Sequence, residues 1–176
     1  MHALIVGSRG VGKSTLIRRV LKELNLPVFG YETKKEAQLE DPILGCPIYI
    51  YDAGKPHCQT PDRCIGYHRK PDAASVTAAF DRYAPRLMEP IPGPSVVELD
   101  EIGFLEAGSE AFCRAVLHLL DGAIPVIAAV KDLDIPFLNR VRQHPNVRCF
   151  HITAENRDAL CEEVLAFLKQ QLEDRL

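Results

Sequence analysis

Short apolar runs alternate with amphipathic stretches along most of the chain. Residues 3–6 are wholly apolar, which is typical of a strand that is covered on both faces in a parallel sheet. The stretch 13–24 carries Leu16, Val20 and Leu24 at helical spacing. The pattern at the start of the chain therefore predicts a strand, a turn and a helix.

The same alternation continues to the carboxyl end. Further strands are predicted at 27–33, 46–54, 95–103, 123–130 and 146–153. Further helices are predicted at 73–88, 109–121, 136–144 and 154–176. Asp72 and Ser109 stand at expected N-cap positions, and Pro85 is expected to kink or stop the helix that follows Asp72. Residues 54–71, rich in Pro, Gly, Cys and His, predict a loop or lid.

Strands that alternate with helices predict an α/β fold, a three-layer sandwich around a mostly parallel sheet. The runs at 27–33 and 46–54 predict an added β-hairpin or adjacent pair. No repeat or long linker divides the sequence, so residues 1–176 are expected to form a single domain. Sheets of this kind bind ligands at the carboxyl ends of their strands.

Composition narrows the classes of partner. The chain has 21 Lys and Arg against 24 Asp and Glu, without a basic block that would neutralise nucleic acid or an anionic membrane. No secretory signal or long apolar segment is present, and the 6 cysteines are spread thinly, as expected of reduced thiols. We therefore expect a cytoplasmic protein that binds neither nucleic acid nor membrane. A protein partner is left open.

Residues 7–15, GSRGVGKST, contain the full pattern G-x-x-x-x-G-K-[ST] between a predicted strand and a predicted helix. Glycines allow successive backbone N–H groups to face one anion, and the helix directs its positive dipole end at the same charge. Lys13 would reach the β- and γ-phosphates, and the Ser14 hydroxyl would bind Mg²⁺ (magnesium). The alternative is a plain turn. The predicted phosphate-binding residues are Gly7, Ser8, Arg9, Gly10, Val11, Gly12, Lys13, Ser14 and Thr15.

A second motif, Asp100-Glu101, ends the strand predicted at 95–103. An aspartate here would support Mg²⁺, and the next carboxylate would polarise an attacking water as general base. The alternative for Glu101 is a loop or helix-start carboxylate. Glu98 interrupts the apolar strand on the face that Asp100 shares; it could border the site, and we favour a nearby cation as its partner.

The segment predicted as a loop or lid raises two further hypotheses. Its Arg63, Arg69 and Lys70 could close over phosphates, although a solvated basic loop is the favoured interpretation. It also carries two cysteines and two histidines, whose spacing fits zinc poorly. These four candidate metal ligands are His57, Cys58, Cys64 and His68.

The segments GSRGVGKSTLI, VFGYET, ELDEIGFLE and VRCFHITAENRDAL occur in this order. They resemble the P-loop nucleoside-triphosphatase family that includes a thermophile enzyme and the cancer-related human nucleoside-triphosphatase. The resemblance spans nearly the whole chain. It implies a RecA-like fold and Mg²⁺-dependent hydrolysis of ATP, GTP and related triphosphates to diphosphate and phosphate.

The resemblance also implies roles for individual residues. It makes Lys13 and Glu101 catalytic, with Glu101 as the base, and it places Asp100 on the Mg²⁺ side. Thr153 and the pair Asn156 and Arg157, in the turn after the last strand, would lie beside the phosphate loop, near the base or sugar of the nucleotide. Helix capping plus a surface charge is an equally good interpretation of this last pair.

Three departures from the family pattern bear on turnover and nucleotide preference. Phe104 stands where the family usually has lysine after DEIG, GYETKKEA replaces an acidic and arginine-bearing pattern, and residues 54–72 have no obvious counterpart. Lys131 follows a strand where GTPases place an N-K-x-D base reader, but its neighbours do not complete that motif. Strict GTP selectivity therefore loses support.

Two other functions use the same phosphate loop. A small-molecule or nucleoside kinase would bind an acceptor hydroxyl in place of water, with residues 54–71 forming its pocket. A nucleotide-sensing module would bind with little turnover and report to a partner.

Overall fold

The apolar runs of the sequence form one sheet with helices on both faces in the computed structural model, which describes residues 1–173. Within those residues the strands are β1 (His2–Gly7), β2 (Val28–Lys35), β3 (Pro47–Asp52), β4 (Cys64–Tyr67), β5 (Val96–Ile102), β6 (Val126–Lys131) and β7 (Val147–His151). The helices are α1 (Lys13–Leu24), α2 (Ala73–Leu87), α3 (Glu110–Asp121), α4 (Pro136–Arg142) and α5 (Arg157–Glu173). The last residues of the predicted closing helix, 174–176, lie outside the described residues.

The strands run in the order β4-β3-β2-β5-β6-β1-β7. β1 pairs in parallel with β6 and β7, and β5 pairs in parallel with β2 and β6. β3 is antiparallel to both β2 and β4. The predicted α/β sandwich with a mostly parallel sheet is confirmed, and the central strands bring the carboxyl ends of β1 and β5 to the same edge.

Two hydrophobic layers cover the faces of the sheet. α1 and α5 bury one face, with Ile5 and Ala129 among its fully buried residues. The helices α2, α3 and α4 bury the other face, around residues such as Leu99 and Phe112. Strands covered on both sides need no polar alternation, which explains the continuous apolar runs of β1 and β6. No helix within residues 1–173 has the length and apolarity needed to cross a bilayer.

Two helix caps appear where the sequence predicts them. The Asp72 carboxylate accepts the backbone N–H of Ser75 at 2.9 Å, and the Ser109 hydroxyl accepts the N–H of Phe112 at 3.1 Å. Pro85 lies near the carboxyl end of α2, which ends at Leu87. A proline removes a hydrogen bond that a longer helix would need, so its position fits the end of this helix.

The prediction of a loop throughout residues 54–71 is wrong for its second half. Residues 61–63 form a 3₁₀ turn and Cys64–Tyr67 form β4, which pairs with β3. The added unit is therefore a three-stranded antiparallel extension and not a single hairpin. The edge of β3 that does not pair with β2 offers main-chain hydrogen-bonding groups to a nearby extended segment. The sequence does not reveal this strand, because four residues are too few to show strand periodicity.

Candidate active site

The glycine-rich segment connects β1 to α1 at the carboxyl edge of the sheet. Gly10 and Gly12 have φ of 78° and 112°, in the region that favours glycine. At Gly7 a Cβ atom would lie 2.8 Å from the side chain of Ile152, so the close contact between β1 and the end of β7 requires glycine there. Ser8, Arg9 and Gly10, which follow Gly7 in this segment, are exposed. The bend thus leaves the amino end of α1 open to an anionic ligand.

Lys13 is the most buried polar residue of this segment, with 4% of its surface exposed. Its ammonium donates to the carbonyl oxygens of Gly7 and Ser8 at 2.8 and 2.9 Å. The same nitrogen lies 3.4 Å from Oε2 of Glu101. The two halves of the predicted site therefore meet through an ion pair between α1 and β5.

Ser14 and Asp100 form the second contact between these elements. The Ser14 hydroxyl donates to Oδ1 of Asp100 at 3.0 Å. Burial raises the pKa of Asp100 to about 6, the Ser14 hydrogen bond opposes this shift, and the charges of Glu101 and Glu32 add to it. A hydroxyl and a carboxylate are the hard oxygen donors that Mg²⁺ prefers.

This donor set fits Mg²⁺ because that ion commonly binds one or two protein oxygens and takes its other ligands from phosphates and water. Within residues 1–173, no three His, Cys, Asp or Glu side chains converge as a metal cage. Ser14 and Asp100 are accordingly the protein groups that would hold the ion.

Glu101 reaches its position through an irregularity in β5. Asp100 aligns with Ala129 of β6, but the next aligned pair is Ile102 with Val130, so one residue of β5 is left over. Ile102 consequently packs with Leu99 on the face covered by α2 and α3, against simple alternation. The extra residue is Glu101, whose carboxylate is directed to the strand end.

A second lysine contacts Glu101 from the neighbouring strand. Lys131, the last residue of β6, places Nζ 3.0 Å from Oε1 of Glu101. Within residues 1–173, Lys13 and Lys131 are the two ion-pair partners of this carboxylate. A cavity of about 260 Å³ opens beside Glu101 and Lys131, and Arg9 and Phe104 also line it.

Glu98 lies three residues before Glu101 but in different surroundings. It is 6% exposed on the face covered by α1, and its side chain forms no hydrogen bond or ion pair within residues 1–173. Burial raises its pKa to about 8, and the charges of Asp100 and Glu32 contribute to the shift. The expectation that Glu98 has a cationic partner is wrong: the guanidinium of Arg18, the cation that most affects it, donates to the Ser14 carbonyl.

Asn156 and Arg157, the predicted pair at the start of α5, lie in different environments. The Asn156 side chain accepts the N–H of Thr153 at 2.8 Å and donates to the His151 carbonyl at 2.9 Å, which closes a local turn. Arg157 lies beside the phosphate loop, where a Cβ on Gly12 would be 3.2 Å from its Cδ. Only Arg157 thus borders the predicted phosphate site.

The four candidate zinc ligands do not converge. His57 lies 2.6 Å from a carboxylate oxygen of Glu32, and His68 accepts the backbone N–H of Cys46 at 2.9 Å. Cys58 is exposed, and the thiol of Cys64 points to a backbone carbonyl. This geometry gives no support to the zinc hypothesis.

Two of the three basic residues in the proposed lid are engaged in ion pairs. Arg63 pairs with Asp52 at 2.8 Å, and Arg69 pairs with Glu40 at 2.5 Å. Their partners lie on β3 and in the preceding loop, outside the phosphate loop. These contacts favour a structural role over phosphate binding.

Sequence reasoning did not assign Lys131 to this site. The sequence relates Lys131 to the base-reading motif of GTPases, which lies on the nucleobase side of a nucleotide site. The sequence does contain a signal, since Lys131 ends an apolar strand and parallel strands end at a common edge. Its neighbours at that edge, β1 and β5, are known only from the strand order.

Comparisons with known proteins show the family and the fold of the chain. The model of a family described as NTPase matches residues 2–165. Nucleoside-triphosphatase THEP1 of Thermotoga petrophila is 28% identical, over 96% of this chain and 93% of the relative. The cancer-related nucleoside-triphosphatase homolog of Mus musculus is 25% identical, over 96% of each chain. The solution structure of a human cancer-related nucleoside triphosphatase superposes with a TM-score of 0.66 at 24% identity, over 96% of this chain and 97% of the other.

Proposed function

The chain belongs to the NTPase family, and from that premise we propose that it hydrolyses nucleoside triphosphates to diphosphate and phosphate in an Mg²⁺-dependent reaction. The observation that carries the proposal is the ion pair between Lys13 and Glu101, beside the hydrogen bond between Ser14 and Asp100. These two contacts bring a phosphate-binding group, a candidate base and two oxygen donors together at one end of the sheet. Relatives named nucleoside-triphosphatase support the reaction class.

Binding is assigned to the phosphate loop. The exposed turn at residues 8–10 and the amino end of α1 receive the phosphates, and the Lys13 ammonium moves from carbonyl oxygens to phosphate oxygens. Mg²⁺, when bound by Ser14 and Asp100, would offset phosphate charge. Arg157, adjacent to Gly12, is positioned to contact the phosphates or sugar.

Glu101 is assigned the role of general base. Its carboxylate lies next to the ammonium that binds the terminal phosphates, and its side chain keeps 25% of its surface exposed, so a water molecule can reach it. The base would accept a proton from that water as the water attacks the γ-phosphorus. Both ATP and GTP are expected as substrates, because the segment VKDLD lacks the residues of a guanine-specific reader.

A phosphate-release assay with the common triphosphates, with and without Mg²⁺, tests the proposal. We expect release without any acceptor, and a fall of about 100- to 10,000-fold in kcat for Glu101→Gln with nucleotide affinity retained. Glu110→Gln is the matched control, because Glu110 is an exposed carboxylate whose ion pair, among residues 1–173, is with the exposed Arg114. Unchanged turnover in Glu101→Gln would overturn the assignment of the base.

Two other outcomes would indicate a different activity. Nucleoside diphosphate that forms only after a hydroxyl acceptor is added, with the phosphoryl group recovered on the acceptor and not as free phosphate, would identify a kinase. Tight binding with negligible release would identify a nucleotide-sensing module, because an enzyme of this kind is expected to turn over measurably.

A further inference from the structure

Lys131 is placed at the phosphate end of the site by the strand order. β6 lies between β5 and β1, and Lys131 aligns with Gly7, the first residue of the phosphate loop. The end of β6 therefore brings an ammonium to the carboxylate at the end of β5.

The side chain of Lys131 is held along one path. A Cβ on Gly103 would lie 2.9 Å from Cδ of Lys131, so the chain passes directly over a residue that has no side chain. The ammonium lies 5.0 Å from the centroid of the Phe104 ring and 3.0 Å from Oε1 of Glu101. The Lys131 side chain is 24% exposed, so its ion pair with Glu101 is partly shielded from water.

The two lysines hold different oxygens of Glu101. Lys13 faces Oε2 at 3.4 Å and Lys131 faces Oε1 at 3.0 Å. A bound triphosphate attracts the Lys13 ammonium and repels the carboxylate, because both the phosphates and Glu101 are anionic. Lys131 is then the remaining cation in ion-pair range of Glu101 within residues 1–173.

We propose that Lys131 is the positioning residue for Glu101, which it holds beside the γ-phosphate once the triphosphate has engaged Lys13. This inference rests on the proposed role of Glu101 as base.

The test compares Lys131→Met, Lys131→Arg and Phe104→Leu by steady-state phosphate release and by titration with a fluorescent triphosphate analogue. For Lys131→Met we expect kcat to fall about 10- to 100-fold, as for a misplaced catalytic group, while KM and affinity change less than about threefold. Lys131→Arg retains a cation at this position and should therefore keep most of the kcat that Lys131→Met loses. Phe104→Leu removes the ring but keeps the ion pair, and it should change kcat less than about fivefold.

Combining Lys131→Met with Glu101→Gln separates positioning from a purely structural role. If Lys131 acts through Glu101, the lysine substitution has little further effect in the Glu101→Gln background. Equal losses in both backgrounds, or loss of triphosphate affinity in Lys131→Met, would overturn the inference. An intact kcat in Lys131→Met with a collapsed kcat in Glu101→Gln would refute the role of Lys131 alone. An intact kcat in Glu101→Gln would refute the role of the base itself.

Discussion

Glu98 and Glu101 are three residues apart on β5, yet among residues 1–173 no cation pairs with the buried Glu98, whereas two pair with Glu101. Glu98 points to the face under α1, where Asp100 and Glu32 add negative charge and the pKa rises to about 8. Glu101 follows the irregularity in the strand and meets Lys13 and Lys131. Three residues along one strand thus separate an uncompensated carboxylate from one that is held by cations.

This comparison shows where the fold balances charge. Cations converge at the carboxyl end of the sheet, where the phosphate loop and two strand ends meet. Further back along β5 the strand is covered by α1, and burial, with a contribution from the charges of Asp100 and Glu32, raises the pKa of Glu98. Substitutions of Lys13, Asp100 and Glu98 test these differences separately.

Lys13→Ala should have the largest effect, because it removes one cation from Glu101 and the charge that binds the phosphates. We expect triphosphate affinity to fall about 10- to 150-fold, the equivalent of a charged hydrogen bond worth about 1.5–3 kcal/mol. Turnover should fall at least about 100-fold. Fluorescent-nucleotide titration and phosphate release measure both, with the exposed Lys22→Ala of the same helix as control. Wild-type affinity in Lys13→Ala would contradict the phosphate-loop assignment.

Asp100→Asn should have an intermediate effect that appears in the Mg²⁺ requirement. The amide keeps the shape and can still accept the Ser14 hydrogen bond, but it loses the charge that attracts the ion. The Mg²⁺ concentration for half-maximal activity should rise about 10- to 100-fold. Activity titrated with Mg²⁺ at saturating triphosphate measures the change. An unaltered requirement would remove Asp100 from the metal side of the site.

Glu98→Gln should have the smallest effect on catalysis and a visible effect on stability against pH. The pKa of Glu98 is raised from 4.5 to about 8 in the folded chain, so the folded state binds this proton more tightly than the unfolded state. Its contribution to stability is complete below pH 4.5 and declines as pH rises toward 8, by at most about 1.4 kcal/mol per pH unit. The amide should flatten that decline.

Urea unfolding between pH 5 and 8, in chelator and without nucleotide, measures the slope. Asp100, Glu32 and Arg18 face Glu98 and are left unchanged in this comparison. The exposed Glu162→Gln serves as control. A parallel pH dependence in wild type and Glu98→Gln would show that Glu98 is not the group that titrates.

Much of the fold could be predicted from the sequence because each signal is local. The phosphate loop depends on glycines and on its place between a strand and a helix, and the caps at Asp72 and Ser109 depend on residues within one helical turn. The edge strand β4 could not be predicted, since four residues gain their conformation only by pairing with β3. Local patterns specify elements that are stable through near neighbours along the chain.

The sequence by itself determined the α/β class, the phosphate loop and the two acids near the end of β5. The tertiary structure decided which cations meet which acids: Lys131 pairs with Glu101, and in the part of the chain that the structure describes no cation pairs with Glu98. The physical reason is that ion pairing and desolvation depend on distance and burial, which are set by strand order and register. Those quantities arise between residues far apart in the chain, so no local pattern carries them.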